Sequence, residues 1–177
     1  MIIKVYLRIA VATALIASFS LIKIPLFLIP MTLQVFIVSL LALTIKKLAI
    51  YAYLLYLLIG LLGFPVFANG GGISYIFSLS FGYLIGMLLM SYILSNYTSE
   101  NKLANILIVI FSLLPVYLIG MTYFALLQKF YYHQSFTYSY LFKYLFLIFL
   151  PNDLISLALS LTISKRIKTS LSKILTN

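Results

Sequence analysis

The sequence predicts an all-α integral membrane protein with six transmembrane helices. Of its 177 residues, 64% are hydrophobic and 8% are charged, and the mean hydropathy is +1.19. A soluble core cannot bury that much apolar surface. Residues 48–99 contain no Asp, Glu, Lys, Arg or His. A run of about 20 apolar residues crosses the hydrocarbon core of a bilayer as a helix, and the runs between charges and helix breakers number six.

Charges, prolines and glycines set the limits of the first three helices. These helices are predicted at 2–22, 31–45 and 48–63. The first includes Lys4 and Arg8, whose long side chains reach the headgroups while their stems stay in the apolar layer. Pro25 and Pro30 bracket the break that follows it, and Pro65 lies just beyond the end of the third.

The last three helices are predicted at 75–94, 103–127 and 140–164. A polar stretch at 95–102 separates the fourth from the fifth, and a loop at 128–139 precedes the sixth. Pro151 interrupts the sixth, where it removes a backbone donor and bends the helix. Six helices put both ends of the chain on one side of the membrane. The distribution of Lys and Arg indicates which side that is.

Lysines and arginines are divided unevenly between the two sides. Three lie on the side away from the chain ends, namely Lys23, Lys129 and Lys143. Nine lie on the side of the chain ends: Lys4, Arg8, Lys46, Lys47, Lys102, Lys165, Arg166, Lys168 and Lys173. This excess marks the cytoplasmic side. We therefore expect a multi-pass protein of the cell membrane, the inner or cytoplasmic membrane, with both termini cytoplasmic. A cleaved signal peptide is the alternative for the first run, and its removal would leave five helices.

Composition excludes several classes of function. Twelve Lys and Arg against two Asp and Glu give a net charge of +10, but the cations flank apolar runs. We expect them to contact lipid headgroups of the bilayer and expect no nucleic acid. The absence of Cys and the single His leave no set of metal ligands, and no cofactor is expected. The sequence has no phosphate-binding loop and no pair of acids within the helices, so we expect no enzyme.

Two side chains within the predicted helices are candidates for ligand binding. Asp153 lies near the middle of the sixth helix, where an ionisable group costs at least about 2.5 kcal/mol and usually marks a ligand or ion path. A carboxylate satisfied by a neighbouring Tyr or Lys is the alternative. Gln34, near the outer end of the second helix, can donate and accept hydrogen bonds at once. Ligand contact and a helix–helix hydrogen bond explain Gln34 equally well.

The segment FPVFANGGGI, residues 64–73, interrupts the apolar sequence on the outer side. Irregular backbone at membrane depth needs protein around it or a wet cavity beside it. Glycines also let a backbone approach a ligand closely. Asn69 is either a ligand contact or a turn residue. A plain extracellular hairpin explains the segment as well as a ligand-binding loop does.

Small residues form a stripe on the first helix. Ala10 and Ala14 are four residues apart, and Ser18 continues the spacing. Such a stripe permits the close approach of another helix. The pattern is weak evidence by itself, because apolar helices produce it by chance.

Four motifs together point to a known family. They are IPMTLQ at 29–34, GLLGFPVFANGGG at 60–72, GYLIG at 82–86 and PNDLI at 151–155. With these motifs the chain resembles the BioY family, the biotin-specific substrate-binding components (S components) of energy-coupling factor (ECF) transporters. The resemblance extends over nearly the whole chain, so we expect one S-component-like domain at 1–177. It implies an outer biotin pocket capped by the loops after helices one and three.

The resemblance also implies roles for particular residues. Asp153 would contact the ureido ring of biotin, and the glycine segment would close over the ligand. The residues predicted to bind ligand are Gln34, Asn69, Gly70, Gly71, Gly72, Tyr83, Tyr123, Asp153 and Ser156. Ala10 and Ala14 are similar to the family's docking face for the transmembrane coupling subunit. Ser156 stands where the family usually has Lys, and Tyr123 where it often has Trp.

The expected function is biotin uptake. In this hypothesis the chain captures biotin at the outer face, energised by a separate coupling subunit with its ATPases, or acts alone. Two alternatives remain open at this point. One is an S component for a different vitamin. The chain departs from the usual family residues at 78–80, 152 and 156, and the loss of the Lys at 156 is compatible with a changed affinity or a related ligand. The other is a membrane scaffold protein that binds no ligand.

Overall fold

The structure, a computed structural model, describes residues 2–25, 29–97, 101–134 and 137–176. Within these ranges, eight α-helices are joined by short connections. The helices are α1 Ile2–Leu21, α2 Gln34–Ile45, α3 Lys47–Leu61, α4 Phe81–Asn96, α5 Lys102–Phe111, α6 Leu114–Phe130, α7 Tyr138–Phe142 and α8 Leu150–Thr176. A 3-10 turn lies at Ile73–Phe77 before α4, and a π-helical turn at Lys143–Leu147 joins α7 to α8.

The eight helices form six helical units, as the sequence predicts. α5 and α6 together make one unit, and α7, the π turn and α8 make another. These two units and α1 are long and apolar enough to cross a membrane. α2, α3 and α4 are apolar but shorter, at 12, 15 and 16 residues. A helix of 12 residues is only about 18 Å long, so we expect loops to occupy part of the apolar layer above α2.

A short hairpin makes the second helix start later than predicted. Strand β1, Lys23–Ile24, pairs antiparallel with strand β2, Met31–Thr32. The prediction extended helix two to residue 31, whereas α2 begins at Gln34. Pro30 explains the difference, because it cannot donate a helical hydrogen bond and favours extended backbone beside it.

Three other limits also differ from the prediction by three residues or more. The fifth unit ends at Phe130 rather than at residue 127. The fourth helix begins at Phe81 rather than at residue 75, because the 3-10 turn at Ile73–Phe77 occupies the intervening segment. The sixth unit continues to Thr176 rather than ending at residue 164. No Pro or Gly follows residue 164 to stop it. Pro151 lies in the first turn of α8, where a missing backbone N–H breaks no intrahelical bond.

Glycines bring α4 and α6 into the most extensive contact between helices. A Cβ added at Gly86 would lie 2.5 Å from the Cα of Val116, and one added at Gly82 would lie 2.3 Å from the Cβ of Tyr123. From the other side, Gly120 of α6 leaves room for the ring of Tyr83. Small residues at such positions let helix backbones pack closely in a membrane. α2 packs on α8, and α1 packs on α3.

The turn between α2 and α3 has an unusual conformation. Lys46 has φ 56° and ψ −131°, a region that residues other than glycine rarely occupy. Its carbonyl accepts a hydrogen bond of 3.1 Å from Ser95 Oγ at the end of α4. Burial lowers the pKa of the Lys46 ammonium, and the nearby charge of Lys168 on α8 lowers it further. The hydrogen bond therefore joins the end of α2 to the end of α4, whereas the like charges of Lys46 and Lys168 repel each other.

Candidate functional site

A cavity lies beneath the hairpin at the end of the bundle opposite Lys46. The volume open to the centre of a water molecule is about 50 Å³, and the whole space between the walls, open solvent included, is about 570 Å³. The N-terminal turns of α2, α4, α6 and α8 form its walls, and Pro30 of the hairpin and Ala68 of the glycine segment lie at its edge. Its apolar lining includes Val35, Leu84, Met87, Val116 and Phe149, whereas its polar lining includes Thr32, Gln34, Ser80, Tyr83, Tyr117 and Asp153. An apolar cavity with a few convergent polar groups is typical of a small-molecule site.

Asp153 provides the acidic group of the cavity wall. Its side chain is 6% exposed, and it lies in the first turn of α8. One carboxylate oxygen accepts a hydrogen bond of 2.5 Å from the hydroxyl of Tyr117, and the other accepts a bond of 3.3 Å from the amide of Asn152. The start of a helix favours negative charge. A carboxylate can accept about four hydrogen bonds, so Asp153 retains capacity to accept donors from a ligand.

Gln34 presents an unused donor to the same cavity. The side chain begins α2 and is 3% exposed. Its Nε2 atom is buried and has no hydrogen-bond partner among the described residues. A buried donor without a partner typically costs about 1–3 kcal/mol. A ligand acceptor in the cavity would remove that cost, and so would the hydroxyl of Tyr56 on α3, which is also buried and lies close to the Gln34 amide. Contact of Gln34 with a ligand therefore stays a prediction.

Tyr83 of α4 and Tyr117 of α6 belong to two helices in close contact. Tyr83 packs against Gly120, and its hydroxyl donates a hydrogen bond of 3.2 Å to the carbonyl of Leu145 in the π turn. Tyr117 is 4% exposed and uses its hydroxyl on Asp153. Both rings line the cavity. The hydroxyl groups are thus fixed by neighbouring helices, and the rings form part of the wall.

The glycine segment is folded down onto α3. Gly63 has φ 112°, and two hydrogen bonds, from Gly63 N to Gly60 O and from Phe64 N to Ile59 O, end the helix. This pattern is a Schellman cap, which needs a residue with positive φ. Phe67 is fully buried, and its ring occupies the space that a Cβ on Gly60 would need. Phe67 is therefore the anchor of the segment.

Gly71 lies against the backbone of its own segment. A Cβ added there would lie 2.0 Å from the carbonyl oxygen of Phe64. The nitrogen of Gly72 donates a hydrogen bond of 2.7 Å to the carbonyl of Gly60. Gly70 pairs with Phe67 through two backbone hydrogen bonds. The folding of the segment accounts for these glycines without any ligand, and Ala68 is the part of the segment that reaches the cavity wall.

Three of the nine predicted ligand contacts meet at the cavity, namely Gln34, Tyr83 and Asp153. Ser156 is buried one turn beyond Asp153, outside the residues that form the wall. Tyr123 also lies outside the wall, and its hydroxyl donates to the carbonyl of Ile76. The other predicted contacts that are outside the wall are Asn69, Gly70, Gly71 and Gly72.

Asn69 lies at the surface on the outer side of the glycine segment. It is exposed, and its Oδ1 accepts a hydrogen bond of 2.9 Å from the ammonium of Lys23. With Gly71 and Ser74 it borders an open groove that the rings of Tyr131 and Tyr132 close on the other side. Asn69 therefore holds the segment to the hairpin, and its contact with a ligand stays a prediction.

The predicted docking residues lie on the surface of α1. Ala10 and Ala14 are both exposed, and they border a groove between α1 and α3 together with Leu55 and Ile59. The groove floor includes Thr13, whose hydroxyl donates a hydrogen bond of 3.1 Å to the carbonyl of Ala52. The small side chains thus leave room on the outside of the bundle, and what occupies that room stays a prediction.

Comparison with known proteins identifies the family. The model of the BioY family matches residues 2–173. The chain belongs to the BioY family. Its family and its apolar helices make it a multi-pass membrane protein. A crystal structure of the S-component for biotin from an ECF-type ABC transporter has the same fold, with a TM-score of 0.77, 24% identity, and coverage of 94% of this chain and 92% of the other.

Curated BioY proteins match this chain over part of its length. A probable biotin transporter BioY of Lysinibacillus sphaericus is 38% identical over 120 residues, which are 65% of this chain and 61% of that protein. The biotin transporter BioY2 of Lactococcus lactis is 40% identical over 49% of each chain. The biotin transporter BioY of Thermotoga maritima is 40% identical over 50% of this chain and 53% of its own. The matches thus span about half to three fifths of these relatives.

Sequence reasoning missed four polar residues of the wall, namely Thr32, Tyr75, Ser80 and Tyr117. Tyr75 and Ser80 share a hydrogen bond of 3.1 Å between their hydroxyls. A signal for Tyr117 was present in the glycines of the fourth and fifth predicted helices. Gly82 and Gly86 are four residues apart, a spacing typical of close helix contact. This spacing indicates where the facing helix comes close, and the aromatic residues of that helix, Tyr117 among them, then lie at the contact.

Proposed function

We propose that this chain is the membrane-embedded substrate-binding subunit of a biotin transporter. The observation that carries the proposal is that one cavity wall holds a buried acceptor and a buried donor that has no hydrogen-bond partner among the described residues. Asp153 supplies the acceptor and Gln34 supplies the donor. The family and the names of the relatives support the same function, and favour a transporter over an enzyme or a scaffold protein.

The chemistry of biotin fits these groups. A cyclic urea presents N–H donors and a carbonyl acceptor side by side. In the proposed complex the N–H groups donate to the carboxylate of Asp153, and the urea carbonyl accepts from Nε2 of Gln34. The sulfur-containing ring and the alkyl chain of biotin contact the apolar wall, which includes Leu84, Met87 and Val116. Burial of that apolar surface contributes about 25 cal/mol per Å² to binding.

The proposal also assigns an orientation and partners. The cavity faces the outer side, and both ends of the chain are cytoplasmic, in agreement with nine cations against three. The membrane is the cytoplasmic membrane of the cell. Transport is either energised by a separate ECF coupling subunit with its ATPases, or carried out by the chain alone. The groove beside Ala10 and Ala14 is the proposed docking site for that coupling subunit.

The remaining predicted contacts have a secondary place in the proposal. Asn69 and the glycines at 70–72 belong to the cover of the site, through Ala68 and the hydrogen bond to Lys23. Tyr123 supports the cover from below, because its hydroxyl donates to the 3-10 turn before α4. Ser156 lies directly below Asp153 on α8. These residues thus influence binding through the position of groups that line the cavity.

Equilibrium binding to the purified protein tests the proposal. We expect biotin, within a panel of vitamins at equal concentrations, to bind most tightly and to raise the melting temperature. Tighter binding of another vitamin would favour an S component for that vitamin. No binding and no thermal shift with any member of the panel would favour the scaffold hypothesis. Uptake of labelled biotin with and without co-expressed coupling subunits then separates the two modes of transport.

A further inference from the structure

Lys23 is bonded to a residue of the cavity wall but is not part of the wall, and it lies between the two segments that cover the cavity. It belongs to β1 and pairs with Thr32 of β2, which lines the cavity. Its ammonium donates hydrogen bonds to the carbonyl of Ala68, another residue of the wall, and to Oδ1 of Asn69 at 2.9 Å. Lys23 itself is exposed. The positive charge is therefore placed at the opening, where the hairpin meets the glycine segment.

The other cations predicted on this side are engaged elsewhere. The ammonium of Lys129 lies 5.6 Å from the centre of the Phe130 ring, and that of Lys143 lies 5.4 Å from the centre of the Tyr144 ring. Neither belongs to the cavity wall in the part of the chain that the structure describes. The Lys23 ammonium, by contrast, is bonded to a residue of the wall. Lys23 is thus the cation placed to act on a ligand in the cavity.

The charge of Asp153 decides which end of an anionic ligand approaches Lys23. Among the described residues that form the wall, Asp153 is the one with a charged side chain, and its charge is negative. A ligand carboxylate beside it would be repelled, because like charges repel strongly where water is scarce. Biotin carries its carboxylate at the end of an alkyl chain, away from the urea. With the urea at Asp153, the carboxylate is directed away from that side chain.

We infer that Lys23 binds the carboxylate of the ligand at the opening of the cavity and so selects anionic, carboxylate-bearing ligands. This inference rests on the proposed function. The Lys23 ammonium has three N–H donors and uses two of them on the glycine segment. The third has no partner among the described residues and can donate to a carboxylate. A hydrogen bond between two charged groups is among the stronger kinds. The ligand would then also strengthen the link between the two covering segments.

The experiment compares biotin with biotinol, in which an uncharged alcohol replaces the carboxylate. Both dissociation constants are measured for the wild-type protein, for Lys23→Gln and for Lys23→Arg. The glutamine amide can still donate to the Ala68 carbonyl, so this substitution removes the charge and keeps a link between the segments. Lys143→Gln is the matched control, because it removes one positive charge on the same predicted side, away from the cavity.

We expect Lys23→Gln to weaken biotin binding by about fivefold to tenfold, the range for a partly exposed charged hydrogen bond. Biotinol binding should change by less than twofold, Lys23→Arg should retain most of the affinity for biotin, and Lys143→Gln should change neither constant. An equal loss of affinity for biotin and biotinol would show that Lys23 only links the two segments. Unchanged affinity for both would show that Lys23 has no role in binding. Either outcome overturns the inference. A wild-type protein that binds neither ligand would overturn the proposed function and this inference with it.

Discussion

Replacing Asp153 with Asn separates a ligand-binding role from a structural one. The asparagine side chain has the same shape, and its oxygen can still accept the hydrogen bond that Tyr117 donates in the native protein. The substitution removes the negative charge, and its amide presents donors where the carboxylate presents acceptors. The N–H groups of a urea would therefore lose a charged acceptor. Within the protein, the bond from Tyr117 is kept, and the long bond of 3.3 Å from the Asn152 amide is lost.

The size of the effect follows from the burial of the site. Asp153 is 6% exposed, so water cannot replace a lost hydrogen bond to the ligand. A hydrogen bond to a charged group contributes about 1.5–3 kcal/mol. At about 1.4 kcal/mol for each factor of ten, we expect the dissociation constant for biotin to rise about tenfold to 150-fold.

The empty protein should respond in the opposite direction. A buried carboxylate is costly because it has lost its water, and Asn removes that cost while it keeps the bond from Tyr117. We expect the melting temperature without ligand to stay the same or to rise. Ser160→Ala is the matched control, because Ser160 is buried on the same helix and its hydroxyl donates within α8, to Leu157 O. This control should leave biotin binding unchanged.

The assay is equilibrium binding of labelled biotin to detergent-solubilised protein, with melting curves recorded on the same samples. Unchanged affinity in Asp153→Asn would show that Asp153 does not contact the ligand. A loss of affinity together with an equal loss of stability in the empty protein would show that the carboxylate holds the fold. Either result would refute the reasoning that assigns the carboxylate to the urea.

Other substitutions test other parts of the structure. Gln34→Met keeps the length of the side chain and removes the unpartnered donor, so we expect weaker biotin binding and a melting temperature that does not fall; a fall in both would indicate a structural hydrogen bond. Lys46→Gly should stabilise the protein by about 1 kcal/mol in thermal unfolding, because glycine accepts the positive φ without strain, whereas Lys47→Gly, at the first position of α3, should not stabilise it. Ala10→Leu combined with Ala14→Leu fills the groove beside α1. In a pull-down this double variant should lose a coupling subunit and keep biotin binding, and loss of binding as well would mean that the two residues support the fold.

The sequence predicted the helices well, because hydropathy acts over long apolar runs. A bilayer demands about 20 apolar residues for each crossing, and charges are expensive enough within such runs to stand out. The cost of burying polar groups in such runs made Asp153 and Gln34 candidates for the site, and both line the cavity. The late start of α2 was not predicted, because the hairpin depends on pairing between Lys23–Ile24 and Met31–Thr32 rather than on hydropathy.

The glycine segment illustrates the limit of sequence reasoning at the site. A glycine indicates that backbone comes close to something, but not what that neighbour is. At Gly71 the neighbour is the carbonyl of Phe64, and at Gly60 it is the ring of Phe67. These contacts belong to the folded segment itself. Contacts within the folded segment therefore explain the glycines without a ligand, and the sequence alone does not reveal those contacts.

The walls and the cover of the cavity are held together by different kinds of contact, and this difference indicates how a ligand enters. The walls depend on close backbone packing, with Gly86 of α4 against Val116 of α6, and packed helices resist separation because many contacts would be lost together. The hairpin is joined to the glycine segment by the hydrogen bonds of Lys23 to Ala68 and Asn69, at an exposed position. Exposed hydrogen bonds open at low cost, since water replaces them. We therefore expect the cavity to open by movement of the hairpin away from the glycine segment, which Phe67 anchors, while the helices that hold Asp153 and Tyr117 stay in place.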